Sequence, residues 1–150
     1  MLWFAITPLP EVPKISLPTC LFSFVGIVVV HELIHVAVHP LSGRSAHSIV
    51  GFWPSGGMIY AHYDQEMTRN RFVAILLMPL VVISLVPLIA AAVGRGTSGW
   101  MAFVSAFNAF LACVDILGAG LVLFQIPGTA IVRQQVWRTY WRAPEIRTNA

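Results

Sequence analysis

The 150-residue sequence predicts an all-α membrane protein with about three transmembrane helices, a short β-hairpin in one loop and a C-terminal amphipathic helix. Hydrophobic residues make up 57% of the chain and charged residues only 10%, whereas soluble domains carry about 25% charged residues. Several apolar stretches reach the length of about 20 residues that a helix needs to cross a bilayer. We therefore expect a single membrane-embedded domain, residues 1–150, with no room for a second core of similar size.

The predicted spans cover residues 17–38, 72–93 and about 100–126. Pro79 and Pro87 interrupt the second span. We expect kinks there, because proline lacks the N–H that a helical carbonyl needs, and neighbouring helices must satisfy that carbonyl instead. The proline-rich segment before the first span is predicted to lie at the membrane interface.

The loop after the first span and the C-terminal tail hold the remaining predicted elements. Aromatic and β-branched residues at 48–53 and 58–63 flank the turn-forming residues Pro-Ser-Gly-Gly at 54–57, which predicts a β-hairpin. Residues 129–142 carry apolar and aromatic side chains together with Arg138 and Arg142, which we interpret as an amphipathic helix lying at the membrane surface.

The distribution of basic residues predicts the orientation. With three spans, the N-terminus and the second loop share one side and hold only Lys14 and Arg95. The first loop and the tail share the other side and hold seven arginines, at positions 44, 69, 71, 133, 138, 142 and 147. By the positive-inside rule the arginine-rich side is cytoplasmic, as expected of a multi-pass protein of a prokaryotic plasma membrane. These arginines flank apolar spans and no nucleic-acid-binding motif is visible, so we expect the lipid bilayer as partner and no nucleic acid.

The most specific motif is His31-Glu32-Leu33-Ile34-His35, an H-E-x-x-H sequence inside the first span. On an α-helix, residues four apart lie on one face, so the two imidazoles can bind one Zn²⁺. The Glu between them is then placed to act as general base for a water on the metal. Ionisable side chains are costly in hydrocarbon, which favours a functional site over an accidental pattern.

A catalytic zinc site needs a third protein ligand, and Asp115 in the third span is the first candidate. At 1.5 Å per residue, His31 and His35 lie roughly 21 and 27 Å along the first span from its outer end. Asp115 lies roughly 22 Å along the third span, which starts on the same side. A metal would satisfy this buried carboxylate; the alternative is a protonated Asp in helix packing.

Other residues remain open as contributors to the site. Glu66 or Asp64 could reach the metal from the loop, whereas His39 lies about 12 Å farther along the helix than His31. Asn108 returns to the face of Asp115 after two helical turns, where its amide could hold a substrate strand or stabilise an oxyanion. Asn108 could equally serve as a hydrogen-bonding link between helices. Cys20 and Cys113 show no metal-ligand spacing and are predicted to be small buried side chains.

These residues resemble the site-2 protease class of intramembrane zinc metalloproteases, which has H-E-x-x-H in one membrane helix and an Asp in a later one. Over nearly its full length, the chain resembles the putative zincin peptidase family, DUF3267. That likeness depends on His31 to His35, the stretch from Arg71 to Pro79, and Asn108 with Asp115-Ile116.

The resemblance implies a zinc metallopeptidase that hydrolyses peptide bonds of a membrane protein or peptide substrate. His31, His35 and Asp115 would be the metal ligands, and Glu32 and Asn108 the catalytic residues. The hairpin could present an edge strand that straightens a helical substrate. Two alternatives remain at this point: a non-enzymatic metal-binding membrane protein, such as a permease subunit or assembly factor, and a zinc-dependent membrane hydrolase of non-peptide substrates.

Overall fold

The computed structural model describes residues 16–94, 98–135 and 138–144, so the N-terminal segment with its predicted interfacial position lies outside the described residues. The described part is mostly helical, with two small antiparallel sheets. In chain order the elements are α1 (Leu17–Val38), β1 (Ser48–Trp53), β2 (Met58–Tyr63), β3 (Met67–Thr68), α2 (Arg69–Pro79), α3 (Val86–Ala92), α4 (Gly99–Leu111), α5 (Cys113–Gln125), β4 (Ile131–Gln135) and β5 (Arg138–Arg142).

Helix α1 has the bounds that the sequence predicts for the first span. Ser16 caps its N-terminus, with its Oγ accepting from the backbone N–H of Thr19 at 3.4 Å. Beyond its C-terminus the chain makes a 3₁₀ turn over Pro40–Gly43. Gly43 has φ +76°, and a Cβ added there would clash with the side chain and carbonyl of Val36, so the turn requires glycine.

The second span is one apolar helical segment over Arg69–Ala92, long enough to cross a membrane. It consists of α2, a π-helical turn at Leu80–Leu85, and α3. The two prolines border the π-helical turn, where kinks are expected from the sequence. Pro79 ends α2 and Pro87 lies in the first turn of α3. Such wide turns form where a helix adjusts its hydrogen-bond register, and they often occur at functional sites.

The segment predicted to form the third span is bent. Helices α4 and α5 meet at an angle of 47° around Ala112, which is fully buried. Within the described residues, two helices are long and apolar enough to cross a membrane, and the number rises to three if this bent pair is counted as one span. Helix α5 packs against α2, and a Cβ added at Gly118 would lie 3.5 Å from Leu76.

The loop hairpin is confirmed by the structure, while the amphipathic helix predicted for the tail is wrong. Strands β1 and β2 pair antiparallel from Ser48 with Tyr63 to Trp53 with Met58. The tail instead forms β4 and β5, and β4 also pairs with the two-residue β3. The tail alternates with a period of two, since the side chain of Val132 is buried in the core and that of Arg133 points to an ion pair.

Arginine side chains hold the helix ends together on the side of the three-stranded sheet. Arg71 donates to the carbonyls of Val38 and His39 at the C-terminus of α1, both at 3.0 Å. Arg69 donates to the Leu123 carbonyl near the C-terminus of α5 at 3.1 Å. A guanidinium at a helix C-terminus satisfies unpaired carbonyls and complements the helix dipole. The hydrophobic core lies between these ends. It consists of Met67, Phe72, Val73, Ile75, Ala119, Val122, Ile126, Ala130 and Val132.

Candidate metal centre

The two histidines of the H-E-x-x-H motif lie side by side on the inner face of α1. His31 and His35 are 5% and 7% exposed, and their rings meet edge to face with centroids 4.8 Å apart. The two Nε2 atoms are 3.2 Å apart. The helical spacing of four residues thus places two nitrogen donors at one point of the bundle interior.

Asp115 on α5 completes a triangle of donor atoms. Its Oδ2 lies 3.0 Å from Nε2 of His31 and 3.6 Å from Nε2 of His35. A tetrahedral zinc ion with ligand bonds of about 2.0–2.1 Å holds its donors about 3.3 Å apart. The three edges of 3.0, 3.2 and 3.6 Å therefore fit a zinc ion with one position left open. The ligand role of Asp115 stays a prediction, but the structure places it where that role requires.

The remaining ring nitrogens are held by oxygen atoms. Nδ1 of His31 lies 2.9 Å from Oδ1 of Asn108, and Nδ1 of His35 lies 2.8 Å from the carbonyl oxygen of Ile75. A carbonyl oxygen only accepts, so both Nδ1 atoms carry a proton, and both Nε2 lone pairs would point to a metal bound in the triangle. A single proton can bridge only two of the three donors, whereas a metal cation satisfies all three at once.

Pro79 explains why the Ile75 carbonyl is available to His35. In a regular helix this carbonyl would accept from the backbone N–H of residue 79, which proline lacks. The imidazole of His35 supplies the missing donor. Pro79, which interrupts the predicted second span, thereby orients a predicted metal ligand. The sequence alone did not reveal this contact, because it does not show which helices pack together.

Glu32 lies beside the triangle and contacts the hairpin. One carboxylate oxygen of Glu32 and one ring nitrogen each of His31 and His35 all lie within 4.8 Å of one another. Oε2 of Glu32 accepts a 2.7 Å hydrogen bond from the backbone N–H of Ala61 in β2. The carboxylate is therefore held between the metal-binding face of α1 and the edge of a β-strand.

A cavity of about 180 Å³ opens between β2, α1 and α2. Glu32, His35 and Asp115 line it on the side of the donor triangle. Its other walls are mainly apolar and aromatic, and they include Met58, Tyr60, Tyr63, Met67, Phe72 and Leu76. The cavity provides room for a side chain of moderate size directly beside the candidate metal centre.

His39 also lines this cavity and is 2% exposed. Its Nδ1 has no hydrogen-bond partner, and its ring lies 5.5 Å from that of Tyr63. Burial lowers the pKa of His39 to about 4, so this imidazole is neutral at physiological pH. The group of described residues that could hold a metal consists of His31, Glu32 and His35 and includes neither His39 nor Asp115. Asp115 is a candidate because of its distances to the two histidines.

The acidic loop residues lie in ion pairs with arginines of the tail. Glu66 accepts from Arg142 at 2.7 and 3.1 Å, and Asp64 accepts from Arg133 at 3.0 Å. The hydrogen bonds from these arginines lower the pKa of both carboxyl groups. The structure thus gives both rival acids another partner.

The Asn108 side chain contacts His31 inside the bundle, and its role as a catalytic residue stays a prediction. Its side chain is fully buried, with Nδ2 donating to the Pro79 carbonyl at 3.0 Å and to Oγ of Ser84 at 2.9 Å. Its Oδ1 accepts from Nδ1–H of His31, so both the NH₂ group and the oxygen of the amide have partners within the bundle. The alternative role as a hydrogen-bonding link between helices agrees with these contacts.

Some functional contacts were missed by reasoning on the sequence, and one expectation about cysteines is wrong. Ser84 and the backbone N–H of Ala61 both contact site residues, yet neither stands out in an apolar helix or a strand. Cys20 and Cys113 are unpaired and exposed on helix surfaces rather than buried.

Comparison with known proteins gives one match. Residues 24–131 match the model of the family described as putative zincin peptidase, DUF3267. No curated protein and no solved structure matches the chain. The matched range contains the H-E-x-x-H motif, Asn108 and Asp115.

Proposed function

The chain belongs to the putative zincin peptidase family, and on that premise we propose that it is a zinc-dependent peptidase working within or at the surface of a membrane. The convergence of two Nε2 atoms and one carboxylate oxygen within 3.0–3.6 Å is the observation that carries this proposal. All three donors come from helices that are apolar over most of their length, and a glutamate lies beside them.

In this proposal His31, His35 and Asp115 hold the zinc ion. The metal, when bound, supplies a Lewis acid that polarises the peptide carbonyl and makes a water molecule more acidic. Glu32 removes a proton from the attacking water as the new C–O bond forms. It then delivers that proton to the amine nitrogen as the C–N bond breaks, which returns the carboxylate to its starting state.

The edge of β2 offers a place for an extended substrate. The N–H of Ala61 points away from β1 and toward Glu32, so this edge of the hairpin faces the metal site. A peptide pairing with that edge would lie extended across the donor triangle, with its scissile carbonyl exposed to attack. The hydrogen bond between Ala61 and Glu32 would then be exchanged for one to the substrate.

We propose a membrane protein or peptide with apolar residues around the cleaved bond as substrate. Two features support this choice: the apolar lining of the cavity, and the long apolar helices that surround the site. The multi-pass arrangement and the cytoplasmic position of the arginine-rich side belong to the same proposal.

The proposal is tested with Glu32→Gln in detergent-purified protein. The amide keeps the shape of the side chain but cannot accept the proton of water, so zinc should remain bound while hydrolysis of internally quenched apolar peptides is lost. Glu66→Gln is the matched control, since it removes a carboxylate outside the site and should keep both properties. Loss of zinc in Glu32→Gln would contradict the role of base. Equal rates of hydrolysis for the two variants would also contradict it. Stoichiometric zinc without hydrolysis in the wild type and in Glu66→Gln would leave a metal-binding protein instead of a peptidase.

A further inference from the structure

Two buried serines face each other across the bundle. Ser84 in the π-helical turn and Ser105 in α4 are 4% and 3% exposed. Each hydroxyl donates to the backbone carbonyl of the other residue, with Oγ of Ser84 at 2.8 Å from the Ser105 oxygen and Oγ of Ser105 at 3.1 Å from the Ser84 oxygen. The pair is symmetric in its bonds to the backbone, but only Ser84 also contacts Asn108.

The direction of the Ser84 hydroxyl follows from its partners. A hydroxyl carries one proton, and a backbone carbonyl can only accept, so the Ser84 proton lies toward Ser105. The Ser84 oxygen therefore presents a lone pair to the third neighbour, the side-chain amide of Asn108, at 2.9 Å. This contact requires an N–H on the Asn108 side.

The orientation of the Asn108 amide is set in turn. Its NH₂ group donates to Oγ of Ser84 and to the Pro79 carbonyl, so its oxygen must face His31. Turning the amide over would place its oxygen against two oxygens that offer it no proton, at a position that is fully buried. The amide oxygen then accepts from Nδ1–H of His31, which leaves the Nε2 lone pair for the metal.

We propose that Ser84 is a positioning residue that sets the proton direction along the series Ser84, Asn108, His31 and thereby holds His31 in its metal-binding tautomer. The inference depends on the zinc site of the proposed function. It adds a residue that lies in an apolar helix, away from the ligands, and that contacts neither metal nor substrate.

Ser84→Ala tests the proposal, with Ser105→Ala as its matched control. Both variants remove one buried hydroxyl and one hydrogen bond to a carbonyl, but only the first removes the acceptor for Asn108. Mutating a residue that supports a metal ligand through hydrogen bonds typically lowers metal affinity by about 10–100-fold. We expect the zinc Kd, measured by competition with a chromophoric chelator, to rise at least about tenfold in Ser84→Ala and to stay within about threefold in Ser105→Ala.

Equal zinc affinities in the two variants would overturn the proposal. If Ser84→Ala does not fold, Ser84→Cys keeps the volume while weakening the acceptor, and the same difference from Ser105→Ala is expected. The ¹⁵N signals of the His31 ring in zinc-free protein at pH 8, assigned with His31→Gln, give a second measurement. The proposal requires Nδ1 of His31 to carry a proton in the wild type and a larger fraction of unprotonated Nδ1 in the Ser84 variant. Failure of the wild type to bind zinc would refute the proposed function, whereas the tautomer comparison would still test Ser84.

Discussion

Removing the Asp115 carboxylate is the sharpest test of the metal centre. Oδ2 of Asp115 is one of three donors, 3.0 and 3.6 Å from the two imidazole nitrogens. Structural zinc sites gain roughly 12 kcal/mol in apparent binding free energy from four ligands, or about 3 kcal/mol for each ligand. At about 1.4 kcal/mol per factor of ten, Asp115→Ala should weaken zinc binding about a hundredfold.

Asp115→Asn separates a ligand from a packing residue. The amide has nearly the same volume and keeps an oxygen, so a protonated Asp that only packs between helices would tolerate it. A zinc ligand would not, because the neutral amide loses the negative charge and is a much weaker donor. We expect a loss of affinity close to that of Asp115→Ala.

Chelator competition in detergent measures the zinc Kd of each variant, and elemental analysis measures the metal bound per chain. Glu66→Ala is the control, since its carboxylate pairs with Arg142 and should leave the zinc Kd unchanged. Wild-type affinity in Asp115→Ala would refute the assignment of the third ligand. Combined with loss of zinc in Glu66→Ala, it would move that role to the loop.

Further predictions concern the surroundings of the site. Pro79→Ala returns an N–H that competes with His35 for the Ile75 carbonyl, so the zinc Kd should rise several-fold, and an unchanged Kd would show that this carbonyl does not orient the ligand. His39→Phe fills a similar volume and removes a buried nitrogen that has no partner, so the thermal midpoint should not fall. The zinc content should stay normal, and loss of zinc would show that His39 is a ligand. The hydrogen bond from Arg142 lowers the pKa of Glu66 below the ordinary 4.5. The ion pair therefore stabilises the fold above pH 4.5, and this stabilisation is lost as the pH falls and the carboxylate is protonated. The acid-induced drop in thermal midpoint should be smaller in Glu66→Gln than in the wild type, and equal drops would contradict this.

The sequence predicted the features that depend on local spacing. The bounds of α1, the hairpin at 48–63 and the common face of His31 and His35 all follow from periods of 3.6 or two residues along a continuous segment. The depth argument brought Asp115 to the level of the histidines because each residue of a membrane helix advances a fixed distance along its axis.

The tail shows where local spacing misled. Its mixture of apolar residues and arginines is compatible with an amphipathic helix, but Ile131 and Val132 pair with Thr68 and Met67, more than 60 positions earlier in the chain. Strand pairing depends on a distant partner that local periodicity does not reveal. The ion pairs of Arg133 and Arg142 with Asp64 and Glu66 follow from this pairing, and they draw both rival acids away from the metal site.

The sequence by itself determined that a chain with helices long and apolar enough to cross a membrane carries a zinc-binding motif on one of them. Only the tertiary structure decided that Asp115 contacts the two histidines, that the Asn108 side chain contacts His31, and that Ser84 contacts Asn108. The physical reason is that a helix fixes its own side chains relative to one another, whereas a hydrogen bond between helices depends on their packing, their bends and the carbonyls that proline leaves unpaired.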